Sequence, residues 1–306
     1  MVYLKRMINR FISSVFYYLI ILPISALPYF ILYRISDFLY FLFYYVLGYR
    51  KKVIVGNIER SFPDKSKQEY IDIAKKFYAH FCDLIVESLK VFSIAESQVQ
   101  TRMKFVNPEV MNRYFDEGKS VIMAGGHFNN WELFAVAIDS AIKHNSIAIY
   151  KPLSNQFFDV KMRATRGKFG LRMIAIKDVK KVFDETQHEI STFIFGTDQS
   201  PGNVKKAYWM NFLNQETAVL FGAEKFAKDY NYPVVFCCIH KVKRGFYQVE
   251  FRNLMDDPSA TEFGEITQLH TQMLEKDILN DPPFWLWSHR RWKKKRPDDV
   301  ELHKSI

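Results

Sequence analysis

The residues best suited to chemistry lie in the stretch Gly125–Leu133, which reads GGHFNNWEL. His127 follows the apolar run SVIMAG, and Glu132 comes five positions after it. A histidine polarised by a carboxylate is a general base, and such a group contributes about 10²–10⁴-fold to a rate. Here it would take a proton from a hydroxyl or amine as that group attacks a thioester. The same spacing recurs at His270 and Glu275. That pair lies inside a predicted helix, where five residues turn the two side chains roughly 140° apart. Spacing alone is therefore no evidence. The setting separates the two pairs: a buried strand, two glycines that let a substrate approach the backbone, the histidine, then a helix start. A capping or core histidine is the alternative reading. Competing chemistries lack their residues, since there is no G-x-S-x-G elbow, HExxH, Walker A or strand-borne G-x-G-x-x-G. The three cysteines, Cys82, Cys237 and Cys238, include no CxxC, which argues against a disulfide framework or zinc site and fits a reducing compartment.

These residues need elements to hold them. Residues 66–92 repeat apolar positions at helical spacing. From about residue 104 the texture changes to short apolar runs alternating with helical patterns. Strands are expected at 120–125, 146–150, 172–176, 191–195, 233–239 and 247–252. Helices are expected at 129–143, 155–169, 178–187, 217–229 and 260–278, with Asn129 or Asn130 near the N-cap of the first. The fold class is α/β: a mixed, mostly parallel sheet flanked by helices. In such sheets sites form at the carboxyl ends of strands, where His127 falls.

Ahead of this domain, Arg10 and Arg34 bracket 23 uncharged residues. One helix of that length reaches roughly 34 Å, enough for a bilayer core. Pro23 and Pro28 would kink it, so a spanning helix and an in-plane anchor both fit. The run is long and lacks a small-x-small site, which argues against a cleaved leader. Two units are expected: a membrane-anchor segment, 1–49, and a globular domain, 50–306.

The net charge of +10 is concentrated. Lys5, Arg6 and Arg10, then Arg50, Lys51 and Lys52, then Arg290, Arg291, Lys293, Lys294, Lys295 and Arg296 hold all of the excess, and the remaining chain is slightly negative. A nucleic-acid groove would spread its cations over a face. Discrete clusters suit contacts with an anionic membrane or an acidic partner, and no nucleic acid is expected.

Several motifs, in order, resemble the late acyltransferases of lipid A biosynthesis, within the lysophospholipid acyltransferase superfamily. They are YRKKVIVGNIERSFPDKS at Tyr49–Ser66, GGHFNNWEL at Gly125–Leu133, and YKPLSNQFFDVKMRATRGKFG at Tyr150–Gly170. GTDQSPGN at Gly196–Asn203, WMNFLNQETA at Trp209–Ala218 and PPFWLWSHRRWKKKRP at Pro282–Pro297 complete the set. Asn129 stands where the family has Gly, Lys151 where it has Arg, and Leu213-Asn214 where it has Phe-Gly. The resemblance implies a glycerolipid-acyltransferase-like fold with an N-terminal anchor helix. It implies acyl transfer from an acyl carrier protein or acyl-CoA thioester to a hydroxyl of a lipid A precursor. It places the enzyme at the bacterial inner membrane with the catalytic domain on the cytoplasmic side. His127 would be the base and Glu132 its orienting carboxylate, with no metal or cofactor. Substrate-binding candidates are Arg166 and then Arg163 as anion or oxyanion contacts, Asn130, the turn residues Asp198 and Gln199, and Arg290 and Arg291 in the basic terminal run. Phe284, Trp285, Trp287 and Trp292 would dip into an interface or fill the core.

Overall fold

Nine strands form in the computed structural model, which describes residues 2–304. They are β1 (Met103–Phe105), β2 (Val121–Gly125), β3 (Asn145–Tyr150), β4 (Arg172–Ala175), β5 (Ser191–Gly196), β6 (Tyr208–Phe212), β7 (Gln215–Val219), β8 (Val234–Lys243) and β9 (Phe246–Met255). Seven make one sheet in the order β1-β9-β8-β2-β5-β3-β4. All neighbours in it are parallel except the antiparallel pair β8–β9. The α/β class with a mostly parallel sheet is thus the observed one.

The central strand β2 is buried on both faces, as a parallel strand between helices must be. Val121 and Met123 join one core with Val235, Phe251 and Leu133. Ile122 and Ala124 join the opposite core with Phe193, Phe183 and Ile266. The period of two thus divides one apolar run between two hydrophobic layers.

The helices are α1 (Val2–Phe16), α2 (Leu22–Ala26), α3 (Tyr29–Phe41), α4 (Lys51–Ser61), α5 (Lys67–Lys90) and α6 (Glu96–Arg102). They continue with α7 (Glu109–Asp116), α8 (Trp131–Ala137), α9 (Gln156–Arg166), α10 (Val179–Glu185), α11 (Gly222–Tyr230) and α12 (Glu265–Asn280). A capping box starts α5: Ser66 N donates to Glu69 Oε2 at 2.7 Å, and Glu69 N returns a bond to Ser66 Oγ.

Two expectations are corrected here. The helix expected at 129–143 ends at Ala137. Part of the helix expected at 217–229 is instead the β6–β7 hairpin, and α11 starts at Gly222. That hairpin turns on Leu213 and Asn214, both with positive φ (50° and 60°). A two-residue hairpin of this kind normally signals itself with Asn-Gly, and Leu-Asn hides it.

The N-terminal segment does not stand clear of the domain. Met7–Ala26 is long and apolar enough to cross a membrane, with a π-helical turn at Tyr17–Ile21 joining α1 to α2. Yet it lies along α9 and the end of α5. Asn155 Nδ2 donates to Ser13 Oγ at 2.8 Å, and Lys161 Nζ to the Tyr18 hydroxyl at 3.0 Å. Ser93 Oγ donates to Ser25 O at 2.5 Å, and Lys90 Nζ to Leu27 O at 3.0 Å. Its other side exposes Phe11, Ile12, Phe16 and Leu19. The side chains of Lys5 and Arg6 lie outside the described part.

Candidate active site

Strand order brings the site together. β2 and β5 are adjacent, with Gly125 paired to Gly196 at their carboxyl ends. Two residues beyond each glycine stand His127 and Asp198. The His127 Nδ1 lies 2.6 Å from Asp198 Oδ1, and the His127 backbone N–H donates to Asp198 Oδ2 at 2.8 Å. Trp285 Nε1 donates to the same Oδ2 at 2.9 Å. Asp198 is thus a buried carboxylate that accepts from both ends of His127 and from an indole.

Glycines make the approach possible. A Cβ on Gly126 would lie 2.7 Å from a Leu274 methyl, and one on Gly196 would lie 3.3 Å from His127 Cε1. Asn129 has φ +57°. Asn is among the few residues besides Gly that adopt left-handed backbone, so Asn129 can stand where the resemblance expects Gly. Its amide donates to Ile239 O at 2.6 Å, and its N–H donates to Phe284 O at 2.9 Å. Phe128 forms a β-bridge with Trp285. The loop carrying His127 is therefore held against β8 and against the C-terminal segment.

The electrostatics follow from the pair. Burial lowers the basicity of His127, but the Asp198 charge, its hydrogen bond and the Glu132 charge outweigh burial, against an opposing effect of Arg166. The net shift is upward. Burial raises Asp198, yet the attraction of His127 and the N–H groups of His127 and Trp285 hold it well below the usual carboxylate range. With Nδ1–H given to Asp198, Nε2 carries the lone pair. It faces the site beside the Gln199 amide nitrogen, 3.1 Å away. Trp131 meets the imidazole edge-on, with ring centroids 5.1 Å apart.

Several expected roles are redistributed. Glu132 makes no hydrogen bond to the imidazole. Its carboxylate takes a bidentate pair from Arg166, with Nε at 2.8 Å and Nη2 at 2.6 Å. The carboxylate that orients the ring is Asp198, because it sits at the end of the neighbouring strand. Arg163 turns away to Asp159 at 3.2 Å and is half-exposed. Asn130 is buried, and both of its side-chain polar atoms have partners inside the protein: Oδ1 caps α8 by accepting from Leu133 N at 2.8 Å, and Nδ2 donates to Glu87 at 2.6 Å. His270 and Glu275 are separate, with His270 buried and Glu275 accepting from Leu213 N at 2.5 Å.

The basic terminal run also sorts itself. Arg291 is buried, with Nη2 donating to Ala218 O at 2.6 Å, and burial lowers its pKa to about 10. Arg290 stays exposed. Lys294 donates to Pro201 O at 2.8 Å, and Arg296 pairs with Glu216 at 3.1 Å. Arg50 Nη1 reaches Ser288 O at 2.8 Å, so two of the three basic clusters converge. Trp285 and Trp287 are wholly buried, which makes them core residues. Among the described residues no group of His, Cys, Asp and Glu could hold a metal ion. Sequence reasoning missed two contributors, Trp285 as a donor to Asp198 and Glu87 behind Asn130. A carboxylate in an otherwise apolar stretch of α5 was the available signal for Glu87.

The chain is similar to known proteins over most of its length. Residues 4–294 match the family model described as bacterial lipid A biosynthesis acyltransferase. The chain is 25% identical over 280 residues to a lipid A biosynthesis acyltransferase of Haemophilus influenzae, covering 90% of this chain and 88% of that one. It is 22% identical over 278 residues to the lipid A biosynthesis lauroyltransferase of Escherichia coli, covering 90% of each. It is 19% identical to the palmitoleoyltransferase of the same organism, over 83% of this chain and 82% of that one. The chain belongs to the bacterial lipid A biosynthesis acyltransferase family and is an acyltransferase.

Proposed function

We propose that this enzyme moves a fatty acyl chain from a thioester donor to a hydroxyl of a lipid A precursor, with His127 as the base. The donor is acyl carrier protein or coenzyme A carrying the chain. Nε2 takes the hydroxyl proton as the oxygen attacks the thioester carbonyl carbon. The carbonyl becomes a tetrahedral oxyanion, which collapses and expels the thiolate, and the imidazolium returns the proton to sulfur. Asp198 holds the ring in the required tautomer and faces the imidazolium charge as it forms. Arg166, aimed by Glu132, is the cation nearest in role to the oxyanion. Only two of its five N–H groups are used by Glu132, and one donor to an oxyanion contributes about 10²–10³-fold.

The single observation that carries this reading is the 2.6 Å His127–Asp198 pair at the carboxyl ends of adjacent strands. The test replaces His127 with Ala and measures acyl transfer to a lipid A precursor in membranes. Transfer should vanish while folding and membrane binding persist. Mass spectrometry of total lipid from a deletion strain tests the acceptor: lipid A one acyl chain short supports it, whereas unchanged lipid A with other lipids altered overturns it.

We read the N-terminal segment as an anchor lying in the cytoplasmic membrane interface. Its polar partners Asn155, Lys161, Ser93 and Lys90 run beside it from Ser13 to Leu27. A spanning helix would draw those groups, and the domain that carries them, into hydrocarbon.

A further inference from the structure

Behind the site, α5 carries two buried carboxylates one turn apart, Asp83 and Glu87. Each accepts a hydrogen bond from α3. Asp83 Oδ1 accepts from Ser36 Oγ at 2.7 Å and from Arg244 Nε at 2.8 Å, and Arg244 also reaches Asp37 at 2.6 Å. Glu87 Oε1 accepts from the Tyr33 hydroxyl at 2.9 Å. Tyr33, Ser36 and Asp37 are three and four residues apart, so they form one polar stripe along α3.

Glu87 has a second side. Its Oε2 accepts from Asn130 Nδ2 at 2.6 Å and from the Tyr247 hydroxyl at 2.7 Å. Asn130 in turn caps α8, the helix whose first turn presents Glu132 to Arg166. It lies three residues after His127. Three donors from three elements (α3, β9 and the α8 cap) thus converge on one carboxylate that solvent does not reach. Helix capping alone would not require this, since the cap is made by Asn130 Oδ1. Glu87 fixes the other end of the amide, and so selects the flip state in which Oδ1 faces the helix.

We infer that Glu87 is a positioning residue of the acyl-transfer site, tying α3 to the loop and helix start that carry His127 and Glu132. The inference rests on the reading of His127 as the base. It assigns α3 a part in catalysis. With Glu87 altered, the cap loosens and the reacting groups drift, and a displacement of about 1 Å is enough to cost on the order of 10²-fold in rate.

The test measures kcat and KM for Glu87→Gln, Asn130→Asp, the double variant and Tyr33→Phe, with thermal melting of each in detergent. Glu87→Gln sets an amide against the Asn130 amide. It should lower kcat about 10-fold or more, with KM for both substrates within about twofold. Asn130→Asp places two carboxylates together and should lose activity similarly. The double variant exchanges donor and acceptor across the same contact and should restore kcat to within about threefold of wild type. Tyr33→Phe should give a smaller loss in kcat. Full activity in Glu87→Gln overturns the inference, and so does a loss that follows melting alone and is not rescued by the double variant. His127→Ala run beside them separates the two levels. Turnover retained there sinks the base assignment, whereas an inactive His127→Ala with a fully active Glu87→Gln sinks only the role of Glu87.

Discussion

The carboxylate that matters most to His127 is 71 residues away in the chain. Asp198 was visible in sequence as a polar turn residue and a substrate-binding candidate. Its partnership with the imidazole was not legible, because that depends on β2 and β5 being neighbours in the sheet. Glu132 was the nearer candidate in sequence, but Arg166 occupies it. A pH prediction follows. The base works when neutral, and Asp198 favours the protonated ring, so the wild-type rate should rise through a midpoint above the ordinary imidazole value. Asp198→Asn removes that attraction and should move the midpoint down, while kcat falls by about 10² or more. An unchanged midpoint in a pH profile of kcat/KM would show that Asp198 does not act on the ring.

At the scale of elements, six of the seven strands of the main sheet were legible because each is a short apolar run with turn residues at its ends, whereas β1 is only three residues, Met-Lys-Phe, and gives no such run. The β6–β7 hairpin was not, since Leu213-Asn214 carries no turn signal and Thr217-Ala-Val-Leu reads equally well as a helix start. The junction after β2 was half legible. Gly125-Gly126 announced a close approach, but what approaches only the packing shows: Leu274 of α12 on one side and Asp198 on the other. Gly126→Ala therefore forces a methyl into Leu274 and should cost about 1–3 kcal/mol of stability. It should also lower activity more than the stability loss explains, because the displaced residue adjoins His127. Chemical denaturation beside initial rates checks both, and wild-type stability in the variant would mean that α12 yields freely.

The whole molecule is arranged around a surface as much as around a site. Exposed apolar side chains crowd on α1 and the segment through Leu47, while the sheet and its flanking helices bury most of theirs. The in-plane reading predicts that spin labels at Phe11 and Leu19, which are 70% and 71% exposed, report similar shallow depths in anionic vesicles. A spanning helix would separate them by roughly 12 Å along the membrane normal. The same scale shows how the site is closed. The N–H donor to Asp198 and the bridge partner of Phe128 are both Trp285, and the carbonyl that receives Asn129 N–H belongs to Phe284. Chains emerge from the ribosome N-terminus first. A nascent chain can thus complete its strands and present His127 and Asp198 while the segment that clamps them is still unmade. Competence therefore waits on Phe284 and Trp285, which are made only after every strand of the sheet.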